Sequence, residues 1–217
     1  ALLWNKSSIF LLDLESGRLL WRKSPPIVDG VDVSMKSWIH CASAGSTIVA
    51  ITESHRMLRL NPQSGEVLWA VDLPGLLIDT PTIQADQILC GYSIPDRVEV
   101  RELKSGDLIK GWDLEGEVPG LANAPFFTKD GWIYATEGGS VTKHASDTTI
   151  LWTQQLPSGL SNLYLAADST QLIAQHYWTE SDPTLWGLSL ENGKRLWQKK
   201  LPQDSRRVIS VKPMGSE

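Results

Sequence analysis

A glycine followed four residues later by tryptophan returns three times in this chain, as Gly17 and Trp21, Gly65 and Trp69, and Gly193 and Trp197. Each pair sits in a similar hexamer, SGRLLW, SGEVLW or NGKRLW. Aligning the segments that end in tryptophan adds two degenerate copies, VEVRELKSGDLIKGWDLEG from Val98 and SVTKHASDTTILWTQQLP from Ser140. The five tryptophans, Trp21, Trp69, Trp112, Trp152 and Trp197, are spaced by 48, 43, 40 and 45 residues. A self-similar period of about 44 residues means a repeat array, in which each unit buries its apolar face against its neighbours.

Such a period suits helical repeats as well as sheet repeats, so local chemistry must decide. STIVAIT, DQILCGY, GWIYAT and TQLIAQHYW are short, rich in β-branched and aromatic residues, and bounded by Gly, Pro, Asp or Ser. That is the composition of strands. Each unit reads as four strands, A to D from the inside outward, and in the second unit these are WIHCASA, STIVAIT, RMLRLN and EVLWAVDL. The glycine falls in the turn between C and D, where a four- or five-residue hairpin loop closes on a residue with φ > 0.

The tryptophan falls in the outer strand, where its ring is expected to pack on the neighbouring sheet while its N–H finds a backbone acceptor. The structural set is therefore Trp21, Trp69, Trp112, Trp152 and Trp197 with Gly17, Gly65, Gly106 and Gly193. In the third unit Lys110 takes the tryptophan's place and Trp112 follows two residues later, a shift that keeps the ring on the same face. In the fourth, Thr148 stands where glycine is expected, which predicts a different turn.

A strand, an Asp or Asn, then Gly-x-x-x-Trp at this period resembles the PQQ-like, or quinoprotein-type, β-propeller repeat family. Asp13, Gly17 and Trp21, Asn61, Gly65 and Trp69, and Gly193 and Trp197 carry the resemblance. WD40 repeats share the period, but their Gly-His and Trp-Asp signatures are missing apart from Trp112-Asp113. The expected fold is all-β, a single propeller domain over residues 1–217 built of four-stranded antiparallel blades. Strand counting gives five blades if RRVISVKP at the C-terminus supplies the inner strand of the first sheet and pairs the two chain ends. The same ends also fit a piece of a longer propeller, and a start at Ala1 with neither Met nor a signal-like stretch fits either a mature form or a cut piece.

In the family, the D-to-A and B-to-C connections share one face. Projected onto this chain, that face receives Asp29, Asp32, Glu53, Tyr92, Asp96, Arg97, Glu137, Trp178, Glu180 and Asp182. Acidic residues outnumber Lys36, Arg56 and Arg97 there, which suits a basic or extended protein or peptide partner. Twenty basic and 25 acidic residues give a net charge of −5, which argues against nucleic acid or anionic membrane as the partner. No apolar run approaches the roughly 18 residues that span a bilayer.

The resemblance also implies what a quinoprotein dehydrogenase would carry: a vicinal Cys-Cys disulfide, a tryptophan platform for the quinone, and acids around calcium. The two cysteines, Cys41 and Cys90, stand 49 positions apart and read as small buried hydrophobes. His40, His55, His144 and His176 show no metal-ligand spacing, and neither a nucleophile elbow nor a phosphate loop is present. His40 and Cys41 are neighbours on a strand and point to opposite faces. The chain thus reads as a non-enzymatic scaffold without cofactor or metal. A sensor or regulatory domain cut from a longer chain is the alternative, and a quinone- or metal-dependent enzyme a remote third. By resemblance its compartment is extracytoplasmic, periplasmic or secreted.

Overall fold

The computed structural model describes residues 1–25, 37–114, 120–147, 149–166, 170–176 and 183–202. All regular elements among them are strands. They form β1 (Leu2–Asn5), β2 (Ser8–Leu12) and β3 (Leu19–Lys23); β4 (Trp38–Ala44), β5 (Thr47–Thr52), β6 (Arg56–Leu60) and β7 (Val67–Asp72); and β8 (Leu76–Leu77), β9 (Thr82–Gln84), β10 (Gln87–Ile94), β11 (Asp96–Glu102) and β12 (Leu108–Asp113). The remainder are β13 (Phe126–Thr128), β14 (Gly131–Ala135), β15 (Ser140–Ala145) and β16 (Ile150–Gln155), then β17 (Leu160–Leu165), β18 (Gln171–His176), β19 (Thr184–Ser189) and β20 (Arg195–Lys200).

Each group is one antiparallel sheet with its strands in sequence order, so the expected meander holds throughout. The third sheet differs from expectation in its inner strand, which is split into β8 and β9, both paired with β10. Pro81 lies in the break, and a residue without an N–H cannot continue a ladder there. The strand expected from RRVISVKP and the turn at Thr148 lie outside the described residues.

The chain divides into two compact units, Ala1–Asp113 with the first three sheets and Leu114–Glu217 with the last two. In unit 1, Ile9, Trp21, Trp38, Ile48 and Leu58 fill the seam between sheets one and two. Val49, Met57, Ile88, Cys90 and Tyr92 fill the seam between sheets two and three. In unit 2, Ile133, Val141, Leu163, Leu172 and Trp186 do the same for sheets four and five.

Within these seams the repeated hexamer performs two tasks. Gly17, Gly65, Gly106 and Gly193 have φ of +67°, +71°, +81° and +71°, the left-handed region that a Cβ disfavours. Each donates its N–H to the carbonyl four residues back, closing the turn. At Gly65, Gly106 and Gly193 the same glycine receives the tryptophan of the preceding sheet. A Cβ on Gly65 would lie 2.9 Å from Trp21, one on Gly106 2.9 Å from Trp69, and one on Gly193 2.6 Å from Trp152. The indole N–H of each ring then donates to the carbonyl three residues before that glycine: Trp21 to Pro62 at 2.8 Å, Trp69 to Leu103 at 3.1 Å, Trp152 to Leu190 at 3.2 Å. In two of the three, a cation from the strand beside the tryptophan reaches the same oxygen, Arg59 at 3.3 Å and Lys143 at 3.2 Å.

Trp197 lies against its own sheet. Its cross-strand partner is Gly187, and the ring lies across its own sheet, where a Cβ on Gly187 would come within 2.1 Å. Its N–H donates to Gln171 Oε1 at 3.1 Å. Gly17, whose turn has the same shape as the others, has no described atom within 4 Å of its Cβ position. Trp112 pairs with Val98, two residues beyond the Lys110–Val100 pair, and Lys110 Nζ stands 5.5 Å from its ring centroid on the shared face.

Candidate functional site

At one end of the sheets in unit 1, three connections come from residues 53–55, 73–75 and 95. His55 adopts φ +58° between β5 and β6, and its carbonyl accepts from Leu73 N–H, tying the first connection to the second. Glu53 is exposed and accepts a 2.7 Å hydrogen bond from Ser37 Oγ. Arg56, the first residue of β6, pairs with Asp72, the last of β7, at 3.0 Å. Arg97 pairs in the same way with Asp113, the last residue of β12. Both pairs are directly cross-strand and both are separated by 16 residues. Hydrogen bonding to Asp113, then to Glu99, raises the pKa of the Arg97 guanidinium above its ordinary value.

The same loop end carries two large apolar side chains. Ile94 is 71% exposed and Leu76 42%, and they are partners in the β8–β10 register. Pro95 follows in the β10–β11 turn with Asp96 after it. The loop end of sheet three thus carries an exposed apolar pair, with Asp96 and Asp113 on strand ends of the same sheet and Asp72 on the end of β7 in sheet two.

Tyr92 is corrected from a loop anchor to a core residue. β10 runs on to Ile94, so Tyr92 is fully buried and cannot present its ring to a partner. Its hydroxyl donates to Glu99 Oε2 at 2.8 Å. Glu99 is itself only 2% exposed and accepts from Arg97 Nε at 2.9 Å and from Arg101 Nε at 2.9 Å, with Arg101 Nη2 at 2.7 Å. Burial is the main cause that pushes the Tyr92 phenol up. The folded form therefore resists losing this proton, and its stabilising effect is present below the ordinary value of 10.0 and lost as pH rises above it. Unfolding midpoints measured from pH 8 to 11 should fall more steeply for the native chain than for Tyr92→Phe. Parallel curves would show that the phenol titrates freely.

Of the other expected surface residues, Glu137 lies in unit 2, exposed, with its carboxylate 3.5 Å from the Cβ position of Gly120. Asp29, Asp32, Trp178, Glu180 and Asp182 lie outside the described residues. Cys41 and Cys90 are free thiols, each pushed up to about 12 by burial. His40 faces Thr80 Oγ1 at 3.3 Å, and burial pushes its imidazole down. Among the described residues no cluster of three or more His, Cys, Asp or Glu could hold a metal ion. No helix there is long and apolar enough to cross a membrane.

Comparison with known proteins gives this architecture a relation. The profile of the family described as outer membrane protein assembly factor BamB matches residues 5–126 and again residues 97–213. The chain belongs to the BamB family. No curated protein matches it. Among solved structures, BamB from Moraxella catarrhalis superposes with a TM-score of 0.63 at 15% identity, over 89% of this chain and 58% of that one. At that identity the likeness speaks for the fold, which is the β-propeller built from PQQ-like repeats. The chain spans little more than half the length of that BamB.

Sequence reasoning missed Glu99, Arg101, Asp72 and Asp113. For the two aspartates a signal was present, because each stands 16 residues after an arginine at the start of a C strand, the first residue of β6 and the second of β11.

Proposed function

We propose that this chain is a non-enzymatic propeller scaffold that holds a protein or peptide partner on the loop end of its sheets. The observation that carries this reading is the apolar pair Ile94 and Leu76, exposed and partnered in register at the loop end of sheet three, the end where β7 finishes at Asp72, β11 starts at Asp96 and β12 finishes at Asp113. Interfaces gain their energy from a few apolar anchors at the centre and their selectivity from charges at the rim. Arg56 and Arg97 are each balanced by an aspartate, so Glu53 and Asp96 give this face its surplus of negative charge. An extended segment with one large apolar side chain and flanking lysines or arginines has matching chemistry. Glu53 and Asp96 take the rim positions, and Glu137 a separate one in unit 2. Family membership supports scaffold work and an extracytoplasmic setting.

The test is fluorescence anisotropy with short labelled peptides in which lysines flank a leucine or phenylalanine, against aspartate-flanked controls. The basic set should bind and the acidic set should not. Ile94→Asp should weaken binding by at least ~10-fold, since loss of a central anchor costs roughly 2 kcal/mol. Equal affinity of native and Ile94→Asp chains would sink the assignment of this surface.

A further inference from the structure

The cation that shares the indole's acceptor is matched by a carboxylate in sheet four and by none in sheet two. Arg59 and Lys143 hold the same register position: Arg59 stands across from Val49 and Trp69, Lys143 across from Ile133 and Trp152. Lys143 is 2% exposed and pairs with Asp130 at 2.9 Å. Asp130 belongs to the two-residue turn closed by the Thr128–Gly131 pair. In sheet two the same turn, closed by Ala44 and Thr47, consists of Gly45 and Ser46. Serine therefore stands where the other sheet has its acid.

Arg59 is left with an unbalanced charge. Among the described residues no Asp or Glu forms an ion pair with it. Its Nη1 donates to the neutral Leu103 carbonyl at 3.3 Å, while its Nε is buried and bonded to nothing among the described residues. Arg101 shows what a guanidinium does here when a carboxylate is in reach. Its Nη1 likewise donates to a turn carbonyl, that of Gly106 at 3.0 Å, and its Nε and Nη2 both go to Glu99. A buried donor without an acceptor is costly, and the guanidinium fork suits planar oxyanions above other partners.

The surroundings leave room for such a group. Arg59 is half-buried, Ser46 is exposed, and no described atom lies within 4 Å of the Cβ position of Gly45. Lys104, beside Leu103, is exposed and adds positive charge. Of the acids on this turn end, Glu102 accepts from Ser105 Oγ at 2.6 Å, and Asp86 meets Leu103 N–H through its backbone carbonyl.

We propose that Arg59 is a carboxylate-binding site, in which an external carboxylate takes the place that Asp130 fills beside Lys143. The carboxylate comes from a small solute or from a glutamate or aspartate side chain of a bound segment. This site lies at the turn end of the strands, away from Ile94, and prefers the opposite charge, so it does not rest on the reading of the loop end.

The Arg59 Nε–H resonance, assigned by its loss in Arg59→Gln, reports the site directly. Sodium acetate, titrated at constant ionic strength against chloride, should move it saturably, with a dissociation constant in the millimolar range. A short blocked peptide containing glutamate, compared with its glutamine counterpart, separates the two sources. Acetate and peptide of equal affinity mean a solute site, and a peptide at least ~10-fold tighter means a bound segment. Ser46→Asp, which copies the turn of sheet four, should shift the resonance without ligand and weaken acetate at least ~10-fold. A resonance that acetate and the glutamate peptide move no more than chloride does overturns the proposal. Native acetate affinity in Ser46→Asp overturns it as well.

Discussion

Glu99→Gln should cost unit 1 about 3–5 kcal/mol, the usual penalty for removing one partner of a buried ion pair. The amide keeps the shape but leaves Arg101 without a counter-charge in a seam that Cys90, Ile88 and Met57 keep dry. Tyr92→Phe should cost only about 1 kcal/mol, because the carboxylate retains both arginines when the phenol is lost. Denaturant unfolding of the three chains, followed by hydrogen exchange at β10 and β11 amides to isolate unit 1, gives the comparison. A loss below about 1 kcal/mol for Glu99→Gln would mean that water reaches the cluster and the charges are solvated. Replacement of Glu99, Arg97 and Arg101 together by well-packed apolar residues should recover much of the loss, since desolvation of the ions is then avoided.

Trp69→Ala should destabilise the same unit by about 3–5 kcal/mol. The truncation empties the surface above Gly106 and withdraws the donor from Leu103, where Arg59 remains as the second donor. Gly106→Val should be comparably harmful from the other side, because a Cβ meets the ring at 2.9 Å and the backbone sits at φ +81°. The double variant separates the two causes. With the ring gone the steric part of the valine penalty vanishes and only backbone strain remains, so the combined loss should be smaller than the sum. Additive losses would show that ring and turn do not depend on one another.

Much of this fold could be read from the chain because its determinants are local. Turn chemistry at Gly65 and Gly106, alternation along TIVAIT and the placement of tryptophan after the turn all act within about ten residues. What could not be read depends on register between strands. YSIPDR looks like a loop because it contains proline, yet β10 extends through Ile94 and the turn shrinks to Pro95. Tyr92 is consequently carried inward and placed across from Arg97. Glu99 and Arg101 alternate with valines, as an ordinary solvent-facing strand would. The valines are buried as well, so both faces of β11 are covered, and only the packing of sheet three on sheet two shows that the charged face lies inside. Leu76 and Ile94 become neighbours through the β8–β10 pairing alone, so the apolar centre of the candidate surface had no signature in either segment.

One regularity of the outer strands bears on how the molecule behaves among its own kind. In every sheet the D strand carries one extra residue just before the tryptophan position: Leu20, Leu68, Ile109, Leu151 and Leu196 are skipped in the register. All five are large aliphatics, 45–52% exposed. An edge strand lined with such residues would be a template for stacking into ribbons if it were flat. The bulge bends it and breaks the even spacing of its outward N–H and C=O groups. A strand approaching from another molecule would therefore lose its hydrogen-bond match within a few residues. The repeat thus tolerates greasy outer rims at five places while denying each of them the geometry of a growing fibre.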